Sequence, residues 1–289
     1  MRRTNILWLA FLLITVNASS VPARADDPQE TGAADYYEKG VECHGSGRYE
    51  EAVKAYLQAI RRDPAFAEAY NNLGNAYAEM GRYAEAVAAL RQAVHLSPGF
   101  AAAHHNLGVA YADSGDYARA AESFQQALRL RPSHSATYNG LGKVYVNQGR
   151  YGEAADAFAQ AARLKPDDAE ARHNLGYALY SLGRYGASAD AFKSALRLRA
   201  DYAAAHNGLG LAYAGMGRGV EAVEAFEQAV RLRPDAAEAR LNLGLAYLSL
   251  GRKGAALSQH AALRDINPAL AARLFEAVRH NKQPAVASR

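Results

Sequence analysis

The sequence predicts an all-α protein, an α-solenoid of seven tandem helix–turn–helix repeats over residues 33–270 that a short C-terminal helix closes. Three series of residues predict this architecture, because each recurs every 34 residues. In two of the series a glycine recurs every 34 residues, from Gly40 to Gly244 and from Gly47 to Gly251. In the third series a proline recurs from Pro64 to Pro268, except that Ala200 replaces one proline. Fourteen of the 24 glycines and six of the nine prolines belong to these series. A fixed period of about 20–50 residues is typical of solenoids.

Within each repeat, two runs of apolar residues at helical spacing predict two helices. In residues 101–134 the first helix is predicted from Leu107, Ala110 and Tyr111, and it ends at Gly115, since glycine suits the left-handed position after a helix. The second helix carries an apolar stripe formed by Ala120, Phe124, Ala127 and Leu128. Pro132 then marks the exit into the next repeat. Gly108 lies inside the first helix, where it costs about 1 kcal/mol relative to alanine. Its recurrence predicts a close approach of the partner helix.

Composition excludes several classes of protein. The single cysteine, Cys43, excludes an intrachain disulfide framework and a cysteine-rich metal site, and its place in the repeat predicts a small buried residue. The formal charge of +4 includes Arg2, Arg3 and Arg24, so residues 26–289 carry 30 basic against 29 acidic residues. This near-neutral balance argues against a nucleic-acid partner.

The N-terminal residues are predicted to be a secretory signal peptide. Arg2 and Arg3 precede an apolar run over residues 6–16, which is shorter than the roughly 20 residues that span a bilayer. Small residues follow, and Ala-Arg-Ala at 23–25 fits a cleavage site, with Val-Asn-Ala at 16–18 as an earlier alternative. An uncleaved helix is the other interpretation. We expect an exported protein, periplasmic or secreted, with the bacterial periplasm favoured and no transmembrane segment after cleavage.

The periodic residues also set the predicted boundaries. The signal peptide covers 1–25, a linker covers 26–32, and a disordered tail covers 281–289. A cap helix is predicted over 268–280, because Asn267 precedes a proline and Leu270, Leu274 and Val278 recur every four residues. A solenoid needs such a cap over its terminal apolar face. The seven repeats are 33–66, 67–100, 101–134, 135–168, 169–202, 203–236 and 237–270.

The pattern resembles the tetratricopeptide repeat (TPR), a 34-residue unit with a defined set of packing residues. Residues 135–168 match it at Tyr138, Leu141-Gly142, Tyr145, Ala154, Phe158 and Pro166. The family's tryptophan position holds Tyr, His or Arg here, and repeat seven departs most, with Lys253, His260 and Leu263. The resemblance implies a right-handed superhelix whose concave groove is lined by the first helix of each repeat. It also implies a protein partner.

Asparagines recur at one position of this expected groove. Asn72, Asn106, Asn174 and Asn242 directly precede a Leu-Gly pair, and where Gly140 and Gly208 interrupt the series the preceding residues are Asn139 and Asn207. A side-chain amide both donates and accepts hydrogen bonds, so we expect these residues to bind the backbone of an extended peptide. The alternative is that they are helix-packing amides. One turn further on, Asn75, Lys143 and Tyr177 are predicted to face the same groove, although a single tyrosine on a helix is often a packing residue.

A second periodic set is basic and lies at the end of each second helix. It comprises Arg129, Arg163, Arg197 and Arg231, with Arg131, Lys165, Arg199 and Arg233 two residues on. Positive charge at this place complements the helix dipole, which is the simpler interpretation. The alternative is a stripe that binds an anionic partner.

No motif for catalysis, cofactor binding or metal binding stands in a suitable context. The histidines are scattered, and neighbours such as His104 and His105 do not share a helix face. We therefore expect a protein that is not an enzyme and that has no cofactor. The leading hypothesis is a peptide-binding adaptor of the cell envelope. The alternatives are a scaffold that self-assembles as a homo-oligomer and an anion-binding module.

Overall fold

The computed structural model describes residues 32–280. The predicted signal peptide, residues 26–31 of the predicted linker and the predicted tail at 281–289 lie outside the described residues. Helices account for most of the described chain, and it contains no β-strand. Its helices are α1 (Ala33–Gly45), α2 (Tyr49–Arg62), α3 (Ala67–Glu79), α4 (Tyr83–Leu96), α5 (Ala101–Asp113), α6 (Tyr117–Leu130), α7 (Ser135–Asn147), α8 (Tyr151–Leu164), α9 (Ala169–Ser181), α10 (Tyr185–Leu198), α11 (Ala203–Gly215), α12 (Gly219–Leu232), α13 (Ala237–Ser249), α14 (Lys253–Ile266) and α15 (Pro268–His280).

Helices α1 to α14 form helix–turn–helix pairs, which we number one to seven along the chain. Each first helix has 13 residues and each second helix has 14, and each helix packs on its neighbours in the sequence. The first helices of successive pairs also contact one another, as α3 contacts α5, and we call this contact a joint. The predicted all-α solenoid is therefore confirmed. Because every contact is between near neighbours, the array is a one-dimensional stack.

A glycine in the left-handed region ends every first helix, as the sequence predicts for Gly115. The seven glycines have φ between 70° and 83°, a range that only glycine adopts readily. The residue after each glycine donates its backbone N–H to a carbonyl five residues back, as Arg82 does to Tyr77 at 2.9 Å. This bond satisfies an otherwise unpaired carbonyl at the helix end.

The same arginine holds the turn a second time through its side chain. The Arg82 guanidinium lies over the Tyr77 ring, 4.6 Å from its centre, and forms an ion pair with Glu85 at 2.7 Å. Pair three exchanges the charges, since Asp116 stands at the arginine position and Arg119 at the acidic one. The cation still lies over the equivalent tyrosine ring, 5.0 Å from its centre. Where a tyrosine stands at this position in pairs two and three, a cation therefore lies over its ring, and either position of the turn can supply it.

Close approach of the two helices explains the glycine inside each first helix. A Cβ atom on Gly142 would lie 2.6 Å from the ring of Phe158, which is only 1 % exposed. The equivalent positions have the same arrangement, as Gly108 has against Phe124, so the predicted role of these glycines is confirmed. Cys43 is buried in the core of pair one, again as predicted.

The C-terminal end of the stack departs from the regular pattern. Helix α14 forms, although its sequence departs most from the repeat, but α15 supplies the side chain that packs on Gly244. A Cβ on Gly244 would lie 2.5 Å from Leu274 of α15, whereas each earlier pair uses a residue of its own second helix. Asn267 caps α15 by accepting the backbone N–H of Leu270 at 3.1 Å. The cap helix is thus an integral part of the last core.

Candidate functional site

The first helices share one face, and we call the three hollows on this face the trough, of which the first two are adjacent and the third lies further along the array. The acidic hollow has a volume of 560 Å³ and is lined by α1, α3, α5 and the start of α4. The central hollow has a volume of 660 Å³ and extends from α5 to α9, sharing Val109 and Asp113 with the first. The apolar hollow has a volume of 430 Å³ and lies between pairs six and seven. A trough of this size can hold an extended segment of polypeptide.

Five of the nine predicted groove residues line these hollows. Asn75 and Asn106 line the acidic hollow, Asn139 and Lys143 the central one, and Asn242 the apolar one. Tyr177 lies on α9, between the central and apolar hollows in the chain, and is 45 % exposed. The other three line no hollow described here, and they lie in the joints: Asn72, Asn174 and Asn207.

The asparagines also hydrogen-bond to each other across the joints. Asn106 Nδ2 donates to Asn71 Oδ1 at 2.9 Å, and Asn174 Nδ2 donates to Asn139 Oδ1 at 3.2 Å. A third bond of the same kind, 3.0 Å long, joins Asn242 to Asn207. Each bond spans 35 residues, so it connects the first helices of two pairs. The amides therefore pack helices, as the alternative interpretation holds, and each keeps a second Nδ2 hydrogen for another acceptor. Their role in binding a peptide stays a prediction.

The remaining joints pack aromatic rings, and in the first of them Asn72 Nδ2 also donates a hydrogen bond to the Tyr37 hydroxyl at 3.0 Å. The ring centres of His105 and His134 lie 5.1 Å apart at the joint between pairs three and four, and those of His173 and Tyr202 lie 5.0 Å apart between pairs five and six. The first joint pairs Tyr37 with Phe66 at 4.9 Å. Ring pairs at such distances attract beyond the area that they bury.

Ring joints and amide joints therefore alternate along the array. The residue that decides the type is the fifth of each first helix, which is in turn Tyr37, Asn71, His105, Asn139, His173 and Asn207. Where it is histidine, the next pair has glycine opposite it. A Cβ on Gly140 would lie 2.8 Å from Phe124, and one on Gly208 would lie 2.4 Å from Phe192. The interruption of the asparagine series is thus a packing requirement. A period of 68 residues in the sequence was the signal that could have revealed it.

Burial changes the acid–base behaviour of the joint between pairs three and four. Thr137 is 1 % exposed, and its Oγ1 lies 2.5 Å from His134 Nδ1 and 2.9 Å from His105 Nδ1. Burial, and then the proximity of His134, lowers the pKa of His105 to about 4. Burial also lowers the pKa of His134, with the charge of Arg131 as a second cause. Both imidazoles are therefore neutral at pH 7, and they share one hydroxyl.

The charges of the trough are unevenly distributed. Lys143 forms an ion pair with Glu170 at 2.7 Å, so the centre of the trough is partly neutralised. Glu79 and Asp113 form no ion pair with any residue of 32–280. Partial burial, and then the negative charge of Glu79, raises the pKa of Asp113. A cation placed between these two carboxylates would be stabilised.

Four members of the predicted basic series, Arg129, Arg163, Arg197 and Arg231, are exposed on the second helices, whereas Lys165 lines the central hollow. The side chains of Arg129 and Arg163 bond Gln126 and Gln160 of their own helices, at 2.7 Å and 2.8 Å. Within the described chain, no acidic residue forms an ion pair with Arg129, Arg163, Arg197 or Arg231. We call these four the outer arginine row. An acidic series two turns earlier limits the net charge of this surface: Glu122, Asp156, Asp190 and Glu224.

Two further findings concern the range 32–280. It holds no group of three or more His, Cys, Asp or Glu side chains arranged to bind a metal ion. None of its helices has the length and apolar character that crossing a membrane requires.

Comparisons with solved structures place the chain among TPR proteins. YrrB, described as a TPR protein with an unusual peptide-binding site, is 25 % identical, with a TM-score of 0.59 over 65 % of this chain and 96 % of that one. MamA AMB-1 is 32 % identical, with a TM-score of 0.52 over 59 % of this chain and 93 % of that one. PilF of Pseudomonas aeruginosa, 23 % identical, shares the fold with a TM-score of 0.62 over 74 % and 98 % of the two chains.

Family models agree with the structural comparisons, whereas no curated protein sequence matches the chain. The model described as TPR repeat matches residues 40–81. The model described as Cilia and flagella-associated protein 70 C-terminal domain matches residues 67–273, which is more than half of the chain. The chain therefore belongs to the tetratricopeptide repeat proteins, in the family that this second model describes.

Proposed function

We propose that this TPR scaffold is a non-enzymatic adaptor of the cell envelope, and that it binds an extended segment of a partner protein in the trough. The observation that carries the proposal is that the hollows lie on one face of the first helices, with polar and aromatic side chains such as Lys143 and Tyr177 exposed along it. An extended segment presents backbone donors and acceptors along its whole length. A face with a repeated polar pattern matches such a ligand better than it matches a compact one.

Three side chains are best placed to contact the segment. Asn75 and Lys143 line the hollows, and Tyr177 exposes much of its ring. The paired amides of the joints add their free Nδ2 hydrogens at regular intervals. The description of YrrB as a protein with a peptide-binding site supports the same use of a related array.

The envelope location rests on the N-terminal sequence alone. Arg2 and Arg3, the apolar run at 6–16 and the small residues at 23–25 support export with cleavage after Ala25. N-terminal sequencing of the exported chain checks this, and a first residue of Asp26 is the expected result.

The test of groove binding is affinity capture from an envelope extract with the native chain and two variants. The trough variant carries Asn75→Ala, Lys143→Ala and Tyr177→Ala, which leave the amide bonds of the joints intact. Changing the joint asparagines instead would risk loosening the stack. We expect the native chain to retain a partner that the trough variant loses by at least tenfold, with an unchanged far-ultraviolet circular dichroism spectrum.

The matched control carries the same number of alanines on the other surface: Arg129→Ala, Arg163→Ala and Arg197→Ala. Equal capture by the native chain and the trough variant would contradict groove binding. Loss in the control alone, together with a steep dependence on salt concentration, would favour the second candidate, an anion-binding module. The observation behind that candidate is the outer arginine row, which has no acidic ion-pair partner in residues 32–280.

A further inference from the structure

The two ends of the trough have different chemistry. The apolar hollow, between pairs six and seven, is lined by Leu211, Leu245, Leu250 and Phe226 with small residues around them, and no charged side chain lines it. The acidic hollow, between pairs one and three, is lined by Glu79 and Asp113, and no lysine or arginine lines it. A ligand that fits both ends must therefore be asymmetric.

The acidic end lacks a cation of its own. In the described chain, no ion-pair partner satisfies Glu79 or Asp113, and the partial burial of Asp113 makes its negative charge more costly. The surrounding side chains, His44, Asn75 and Tyr83, leave this charge uncompensated. A cationic side chain from a partner would gain attraction from both carboxylates.

The middle of the trough does not favour either positive or negative side chains in a bound segment. Lys143 is paired with Glu170, and Lys165 faces the same hollow as Asp168. Side chains of a bound segment at these positions are therefore less constrained. The ends carry the selectivity, and the middle supplies amides and the Tyr177 ring.

Extending the proposed function, on which this inference rests, we propose that the ligand is an extended segment of a partner protein with opposed ends. A lysine or arginine at one end lies between Glu79 and Asp113, and a large aliphatic or aromatic side chain at the other end fills the apolar hollow. Charge complementarity selects the first contact, and burial of apolar surface against Leu211 and Leu245 stabilises the second.

The distance between the ends sets the length of the segment. The centres of the two hollows are four joints apart, from the α3–α5 contact to the α11–α13 contact. Packed helices lie about 8–10 Å apart, which gives roughly 32–40 Å. An extended chain advances about 3.3–3.6 Å per residue, so about nine to twelve residues separate the two anchoring side chains.

Selection from a phage-displayed library of random 16-residue peptides tests this proposal on the full chain. The expected peptides carry Lys or Arg near one end and Leu, Ile, Phe or Trp about nine to twelve residues away. A charge-reversed variant, Glu79→Lys with Asp113→Lys, is expected to select Asp or Glu at the first end and to keep the apolar preference at the other. The matched control, Glu122→Lys with Asp156→Lys, makes the same change of charge on the second helices and should select the native pattern.

The apolar end has its own variant, Leu211→Gln with Leu245→Gln. It should lose the apolar preference and keep the basic one. Peptides without a basic end, or a basic end that Glu79→Lys and Asp113→Lys leave unchanged, would overturn the inference. Groove binding itself would still stand if the trough variant with Asn75→Ala, Lys143→Ala and Tyr177→Ala no longer held those peptides. Enrichment of no peptide at all would overturn both.

Discussion

The side chains of Asn139 and His173 occupy equivalent positions in successive pairs, yet they hold the next pair by different chemistry. Asn139 accepts an amide hydrogen bond from Asn174, whereas His173 packs its ring against Tyr202. A hydrogen bond of this kind contributes about 1 kcal/mol and does not depend on pH between 4 and 8. A buried imidazole contributes through packing, and it does depend on pH.

The joint that contains His105 and His134 should therefore weaken in acid. The pKa of His105 is about 4 in the folded chain against 6.5 as its ordinary value, so the fold favours the neutral ring. The free energy of unfolding is therefore at its full value above about pH 6.5, and it decreases as the pH falls toward 4 and His105 must be protonated. The loss is on the order of 3 kcal/mol, at 1.36 kcal/mol per pKa unit. Urea unfolding at pH 7.5, 5.5 and 4.5 measures it.

A variant that rebuilds this joint as an amide joint is the control. His105→Asn with Gly140→Asn copies the pairing of Asn139 with Asn174. Pair four has Phe158 at the position that Phe124 occupies in pair three, so the phenylalanine is the same in the two joints. Its urea midpoint should fall less between pH 7.5 and 4.5 than that of the native chain. Parallel pH profiles for the two chains would contradict the assignment of the acid sensitivity to this joint.

At the scale of elements, α15 supplies a packing contact that the second helix provides in the other pairs. In pairs three to six a phenylalanine of the second helix packs on the glycine of the first, but pair seven has His260 at that position. The imidazole turns instead toward Phe275, with the ring centres 5.1 Å apart. Leu274 of α15, which is fully buried, supplies the packing that α14 does not.

Truncation of Leu274 should open the C-terminal end of the stack. Leu274→Ala is expected to cost about 2–5 kcal/mol, because it leaves a cavity against Gly244. The effect should stay local, since contacts in the stack are between neighbours. Hydrogen exchange should therefore speed up in α13 to α15 and remain unchanged in α1 to α6. Leu257→Ala on the exposed side of α14 is the control, with an expected change under about 0.5 kcal/mol. Uniform acceleration of exchange along the whole array would contradict this account.

The sequence predicts the elements well because glycine and proline mark their ends in every repeat. It predicts two helices in each repeat, the glycine that ends the first of them and the reason for glycines such as Gly142. It does not predict which side chain packs on Gly244, since a leucine from the next helix can fill a place that His260 vacates. The pairing of asparagines across joints was also beyond it, because Asn71 and Asn106 meet only when two repeats stack. Exposure of Asn75, Lys143 and Tyr177 follows from their periodic position, whereas the opposed ends of the trough required the hollows themselves.

At the scale of the whole molecule, the array combines a uniform framework with a graded face. The turns and the buried aromatic rings repeat with little change, so they fix the curvature and the spacing of the first helices. The positions along the trough face of those helices change from Glu79 and Asp113, through Lys143 and Tyr177, to the partly buried Leu211 and Leu245. Because Glu79, Asp113, Lys143 and Tyr177 are exposed and lie outside the buried cores, the ligand can be changed at these positions without changing the fold.

Because ring joints and amide joints alternate, the joints of the array repeat only after every two helix pairs. Deleting pair four alone, residues 135–168, would bring His105 opposite Asn174, whose Cβ would crowd Phe124. Deleting pairs four and five together, residues 135–202, would bring His105 opposite Gly208 and restore a matched contact. We expect the shorter chain that lacks 135–202 to unfold cooperatively with a higher urea midpoint than the longer chain that lacks only 135–168. Length alone predicts the reverse order for a stack, so an even number of lost units, rather than the smallest loss, is what this array tolerates.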